Sequence, residues 1–220
     1  LAMMHRRGPD AIGSSSWKVG ETSIHFLHSR LSIIDDNHRS DQPMDLGDYS
    51  LVFNGEIYNY RRLREDLIER GYRFTTTGDT EVLIHSWQAW QEESLQRFDG
   101  PLAMVLWDGE QGHIAVDSFA EKSLLIAEVP DGLAVCSELA PLTRIFNIQP
   151  AISLSQLPEY LSLGYISAPE TSYPSVQRMP PASITTVRNG KLGSIRKYWT
   201  PPKAEPGRGS VQPLSEHNLD

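Results

Sequence analysis

One cysteine among 220 residues rules out an intrachain disulfide framework. That usage fits a reducing cytoplasm. Nowhere does an apolar run approach the roughly 20 residues that a membrane-spanning helix needs. No signal-peptide pattern is present, and the abrupt start at Leu1 without Met reads as trimmed. Basic charge is scarce: 20 Lys and Arg stand against 28 Asp and Glu, a net charge of −8. Met4-His5-Arg6-Arg7 is only a small local basic cluster. A nucleic-acid partner, which needs a basic face, is therefore excluded, and nothing points to a membrane. The histidines do not group like metal ligands. His25 and His28 sit three apart on a strand pattern and so point to opposite faces, which argues against a structural zinc site. Internal repeats and low-complexity tracts are absent. The Ser14-Ser15-Ser16 triplet beside Gly13 reads as flexible loop and has nothing of a nucleophile elbow.

What is present is an ordinary globular composition in a length that suits one large domain, or one domain with a tail. Such a chain buries roughly 70% of its unfolded surface. The organising stretch is Leu51-Val52-Phe53-Asn54-Gly55-Glu56-Ile57-Tyr58-Asn59-Tyr60. Its first three residues suit a short buried strand, and Asn54-Gly55 is strong turn chemistry. From Tyr60 the pattern is helical, with Leu63, Leu67 and Ile68 recurring among charged residues. An amide, a bare backbone N–H and a carboxylate thus arrive together at a strand end, which can hold a small polar ligand. The alternative is a β-to-α turn with no further task.

Around this stretch, residues 1–16 are polar and turn-rich, Ile24–His28 reads as a strand, and Arg30–Asp35 as its continuation or a second short strand. Residues 35–50 read as a polar loop. After the helix at 60–70, Thr75-Thr76-Thr77-Gly78-Asp79 precedes a second helix carrying Val82, Leu83, His85, Trp87 and Trp90, the tryptophans placed for the core. Asp79 stands where an N-cap belongs. Leu102–Trp107, Gly112–Val116, Leu124–Ala127 and Leu133–Cys136 read as consecutive antiparallel strands. Helical patterns follow at Glu138–Phe146 and Gln156–Leu163. The clearest hairpin runs from Ser183–Val187 to Leu192–Tyr198 around Asn189-Gly190. Strands come as meanders with helices in pairs between them, so an α+β layered sandwich is expected. Residues 1–200 form the domain; 201–220, rich in Pro and Gly, form a linker.

Arg7-Gly8-Pro9-Asp10, Arg30–Asp35, Gln42-Pro43-Met44, Asn54–Asn59 and Gly78-Asp79-Thr80-Glu81-Val82 occur in the order seen in one family. Ala103–Asp108, Ser137-Glu138 and Tyr160 through Tyr198-Trp199 continue the match. Over about residues 4–200 the chain resembles the N-terminal glutaminase domain of asparagine synthetase-type, class II glutamine amidotransferases. The resemblance implies an N-terminal-nucleophile-hydrolase fold, a four-layer αββα sandwich with two antiparallel sheets, and hydrolysis of glutamine to glutamate and ammonia. By the same resemblance Arg30 holds the substrate's α-carboxylate, which suits a bidentate guanidinium. Glu56 and Asp79 take its α-ammonium. The Asn54 side-chain amide and the Gly55 N–H form the oxyanion hole. The implied partners are glutamine and an ATP-dependent synthetase domain on the same polypeptide; a homodimer is left open. No cofactor is expected in this domain, ATP and magnesium belonging to the synthetase domain.

Two departures from the family pattern stand out. The family's N-terminal nucleophilic cysteine is not in this sequence, and Cys136, within an apolar strand, does not replace it. The 220 residues alone are thus expected to be inactive. The family's Arg-Asp-x-x-Gly-x-Lys-Pro-Leu loop reads here Val116-Asp117-Ser118-Phe119-Ala120-Glu121-Lys122-Ser123-Leu124, with Ala120 for a glycine and Ser123 for a proline. These changes are expected to loosen the loop. The ATP-binding Ser-Gly-Gly-x-Asp-Ser motif is absent. The leading expectation is a glutaminase feeding an amide-forming synthetase. The alternative is a catalytically silent scaffold for a synthetase or cyclase that uses another nucleophile.

Overall fold

Alternation along the central strands decides the layering. In β5 (Leu102–Trp107), Leu102, Met104 and Leu106 join one buried cluster, while Ala103 and Val105 join another. Successive strand residues face opposite sides, so this sheet is covered on both. Its first face carries α1 (Tyr60–Glu69) and α2 (Asp79–Trp90) through Leu63, Leu67, Val82, Leu83, Ile84 and Trp87. The second face meets Ile126 of β7 (Leu125–Val129) and Leu133 and Val135 of β8 (Gly132–Cys136). The outer face of that second sheet, through Leu125 and Ala127, packs on Leu139 and Leu142 of α3 (Leu139–Ile145). Helices, sheet, sheet and helix make the four-layer αββα sandwich that the resemblance implied.

The computed structural model describes residues 1–31, 38–149, 151 and 154–203. The expected strand continuation over residues 32–35, and the tail from 204 on, lie outside the described residues. Seven strands form the larger sheet: β3 (Met44–Leu46), β4 (Tyr49–Gly55), β5, β6 (Gly112–Val116), β10 (Ser183–Arg188), β11 (Lys191–Leu192) and β12 (Arg196–Lys197). Their order is β11-β10-β6-β5-β4-β3, with β12 also on β10. The smaller sheet is β8-β7-β9, where β9 is Val176–Arg178. A two-stranded ribbon of β1 (Ala11–Val19) and β2 (Thr22–Arg30) stands beside them. A fourth helix, α4 (Leu157–Leu163), has no buried residue. At the Asn189-Gly190 hairpin both residues have positive φ, +52° and +70°, as a tight type I′ turn requires.

Three expectations change. Ser14–Ser16 lie within β1, not in a loop, with Ser15 opposite Phe26 of β2. The inward positions Ala11, Gly13 and Ser15 are too small to show a period-2 hydrophobic pattern. The loop read over 35–50 contains β3. The four strands of 102–136 are two hairpins in different sheets. Between them the loop after Asp117 is tightly held: the Asp117 carboxylate accepts the N–H groups of Leu102, Phe119, Glu121 and Lys122 at 3.0–3.2 Å. Ala120, in the family's glycine position, has φ +52°.

Trp87 is fully buried, and Trp90 packs against the same cluster, with Arg70 and Arg97 over its ring. Both tryptophans are core residues.

Candidate active site

The hydrogen-bond phase of β4 sets what its end presents. Asn54 pairs with Ala103 and Gly55 with Leu102 of β5, and Glu56 N–H donates to Pro101 O at 3.0 Å. Asn54 and Glu56 therefore turn their backbone groups toward β5. Phe53, Gly55 and Ile57 turn theirs toward the opposite edge. There β3 pairs with β4 only as far as Leu51, so side chains take over. Gln42 Oε1 accepts Phe53 N–H at 2.6 Å, and Asp79 Oδ2 accepts Ile57 N–H at 3.0 Å. The Gly55 N–H lies on that edge between the two. The Asn54 side chain stands on the face it shares with Ala103, toward the second sheet.

Close backbone approach explains the glycine. A Cβ at residue 55 would lie 2.0 Å from Pro101 O, a distance no side chain tolerates. The following residues stay zipped to the same neighbour: Tyr58 N–H donates to Asp99 O at 2.7 Å, and Asn59 Nδ2 to Arg97 O at 2.8 Å.

Asp79 opens α2 at its first helical residue, with Gly78 at the cap position. It is 6% exposed. Burial pushes its carboxyl above the usual range; the Ile57 N–H pulls it down, and the nearby Glu56 charge pushes it up again. Two carboxylates, one buried, at the end of one strand are suited to a bound cation. The segment leading to Asp79 is fixed by Glu81, which accepts the N–H and hydroxyl groups of both Thr75 and Thr76. Burial opposes the ionised form of Glu81, but these bonds, from Thr76 above all, outweigh it and hold its carboxyl low.

Arg30 ends β2 and is buried, its Nη1 donating to Asp41 Oδ1 at 2.6 Å. Burial pushes the Asp41 carboxyl up, but His38 and Arg30 more than offset that and hold it low. A guanidinium presents five N–H donors in a planar fork, the shape that matches a carboxylate. Two surface concavities, of about 610 and 480 Å³, lie elsewhere, against Trp87, Trp90 and His113 and against Gln156 and Glu159; neither is lined by Arg30, Asn54, Gly55, Glu56 or Asp79. The geometry of hydrogen-bond donors around β4 is the better guide here, since neither concavity reaches the end of that strand.

A family model described as a glutamine amidotransferase domain matches residues 1–199. The chain belongs to this family. The amidotransferase domain is 35% identical to a protein named as a glutamine-hydrolysing putative asparagine synthetase from Mycobacterium tuberculosis, over 98% of this chain and 34% of that protein. It is 32% identical to asparagine synthetase 3 of Bacillus subtilis, over 89% of this chain and 32% of the relative. The chain thus spans about a third of the length of the curated relatives it matches. Its fold is shared with the solved glutamine phosphoribosylpyrophosphate amidotransferase of B. subtilis, at a TM-score of 0.65 and 18% identity over 91% of this chain and 46% of the other. The fold is therefore that of the N-terminal-nucleophile-hydrolase amidotransferases, as the sequence motifs implied.

Within the amidotransferase domain, Asn54, Gly55, Glu56 and Asp79 come together at the β4–α2 end. Arg30 arrives separately on β2, held by Asp41. The N-cap expectation for Asp79 moves by one residue, with Gly78 at the cap, and its carboxylate serves the Ile57 N–H as well as the first N–H groups of its own helix, those of Asp79 and Thr80. Asp41 and Gln42 were given no site role from sequence. The signal available was Asp41-Gln42-Pro43 directly before a strand, a polar pair with no periodicity to explain it. Among the described residues no group of three or more His, Cys, Asp or Glu is placed to hold a metal, and no helix is long and apolar enough to cross a membrane.

Proposed function

We propose that Arg30, Asn54, Gly55, Glu56 and Asp79 form the glutamine site of a glutaminase that supplies ammonia to an amide-forming, asparagine synthetase-like reaction. The observation that carries the reading is the pairing of an acidic couple, Glu56 and Asp79, with an outward Gly55 N–H one residue away. Glutamine's α-ammonium suits the couple, and its α-carboxylate suits Arg30. Its amide carbonyl then falls to Gly55 N–H and the Asn54 amide. Attack by a thiolate on that carbonyl makes a tetrahedral oxyanion, which these two donors stabilise. The C–N bond breaks, the nitrogen takes a proton and leaves as ammonia, and a thioester remains. Water then attacks the thioester, releasing glutamate and restoring the thiol.

The thiol in this reading is the family's N-terminal cysteine, outside these 220 residues, which alone bind glutamine without turning it over. Cys136 does not fit: it faces the α3 side of the smaller sheet, and burial pushes its thiol up, away from the reactive thiolate. The domain would span residues 1–200, with 201–220 as a linker to a synthetase domain on the same polypeptide, in the cytoplasm. ATP and magnesium would act in that domain, with aspartate the default acceptor.

The test is glutamate release by the full-length protein. Arg30→Ala should raise KM for glutamine by about 10- to 100-fold, the loss of a charge-assisted carboxylate pair. Unchanged release would sink the site assignment. A pH series adds the sign. An ammonium beside Asp79 favours its ionised form, so its raised pKa falls on binding. Glutamine affinity should be greatest above the free-site pKa and weaken as pH falls through it. Asp79→Asn should bind less tightly and flatten this dependence; titration calorimetry across pH checks both.

A further inference from the structure

We propose that Gln42 is a positioning residue: by bracing the Phe53 N–H it holds the Asn54–Gly55 donors at the geometry of the tetrahedral intermediate. The inference rests on the proposed glutamine site and adds what keeps its donors aimed. In a strand, the N–H and C=O of one residue point to the same side, so Phe53 presents both to the edge that β3 has abandoned after Leu51. Gln42 Oε1 accepts the N–H at 2.6 Å, and Gln42 is itself 7% exposed. The Phe53 N–H lies one residue before Asn54 and two before Gly55 on the same strand, so fixing it fixes the phase of both donors.

The Gln42 side chain thus replaces a missing neighbouring strand for one residue. The replacement leaves the next outward N–H on this edge, that of Gly55, facing the site instead of a β-ladder partner.

Full-length protein with Gln42→Met, close in size but unable to accept the Phe53 N–H, should release glutamate with kcat lowered about 10- to 100-fold. KM for glutamine should stay within about twofold, because Arg30, Glu56 and Asp79 are untouched. Gln42→Glu, which restores an acceptor oxygen, should recover most of kcat. A KM rise at unchanged kcat, or full activity in a folded Gln42→Met protein, would overturn the bracing role. Equal loss of kcat in Gln42→Met and Gln42→Glu would overturn it too, marking a structural defect instead of a lost acceptor. If Arg30→Ala leaves release unchanged, the glutamine site itself is misassigned; if only the Gln42 variants are silent, the site stands and the brace falls.

Discussion

Asn54→Ala should lower kcat for glutamate release by about 100- to 1000-fold, the loss seen when one oxyanion donor is removed. The change should fall on kcat, with KM for glutamine nearly unaltered. A ground-state amide carbonyl is a weaker acceptor than the oxyanion that forms during attack, so the donor acts mainly in the transition state. The fold gives a reason to expect a clean result. Asn54's backbone is committed to Ala103, and its side chain stands on the inter-sheet face beside small Ala103. Truncation there removes an amide without opening a large apolar cavity. Asn54→Asp should be at least as slow as Asn54→Ala, because it sets a negative charge where negative charge develops. Steady-state glutamate release by the full-length protein, with thermal melting to verify folding, measures both. Loss confined to KM would remove Asn54 from the oxyanion role and leave it a ground-state contact.

Much of this was legible because it is local. The strand at Leu51–Phe53 and the i, i+4 pair Leu63 and Leu67 of α1 each need only neighbouring residues to be read, and each forms as expected. The Asn189-Gly190 hairpin is of the same kind. The turn read at Asn54-Gly55 does not form there: both residues stay paired with β5, and the chain turns at Tyr58-Asn59. The site's family residues were legible only through ordered motifs, because nothing in their spacing joins Arg30 to Glu56. What stayed hidden depends on distant partners. Asp41 meets Arg30, and Gln42 meets Phe53, across 11 residues in each case. A side chain standing in for a strand has no periodicity to reveal it. The ribbon strand β1 was missed because the first three of its inward residues, Ala11, Gly13 and Ser15, are small, and only Trp17 is a large apolar one. Asp79 shows a subtler limit: the residue that opens α2 also reaches back to the end of β4. The contact with Ile57, 22 residues away, joins the two.

Asp117→Ala should cost about 3–5 kcal/mol of stability, a large fraction of the roughly 5–15 kcal/mol that holds a domain together. No single-residue propensity explains the size of that effect; the count of orphaned donors does. The carboxylate accepts four backbone N–H groups, and one of them belongs to Leu102, which is 2% exposed. An unsatisfied buried N–H costs about 1–3 kcal/mol, and bonds to a charged acceptor are stronger than neutral ones. The loop also keeps Ala120 at φ +52°, a conformation costing a non-glycine residue about 1–2 kcal/mol, so it depends on Asp117 to stay closed. Asp117→Asn keeps one carbonyl acceptor but turns an amide N–H₂ toward other donors, and should lie nearer to alanine than to wild type. The effect should reach the site, because Leu102 faces Gly55 and Pro101 sets the approach that only glycine accepts. Urea unfolding of the 220-residue chain should show a lower midpoint at an unchanged slope. An Asp117→Ala midpoint equal to wild type would mean that water replaces the carboxylate at every donor. The loop would then be an appendage, and Ala120 would owe its left-handed backbone to something other than Asp117.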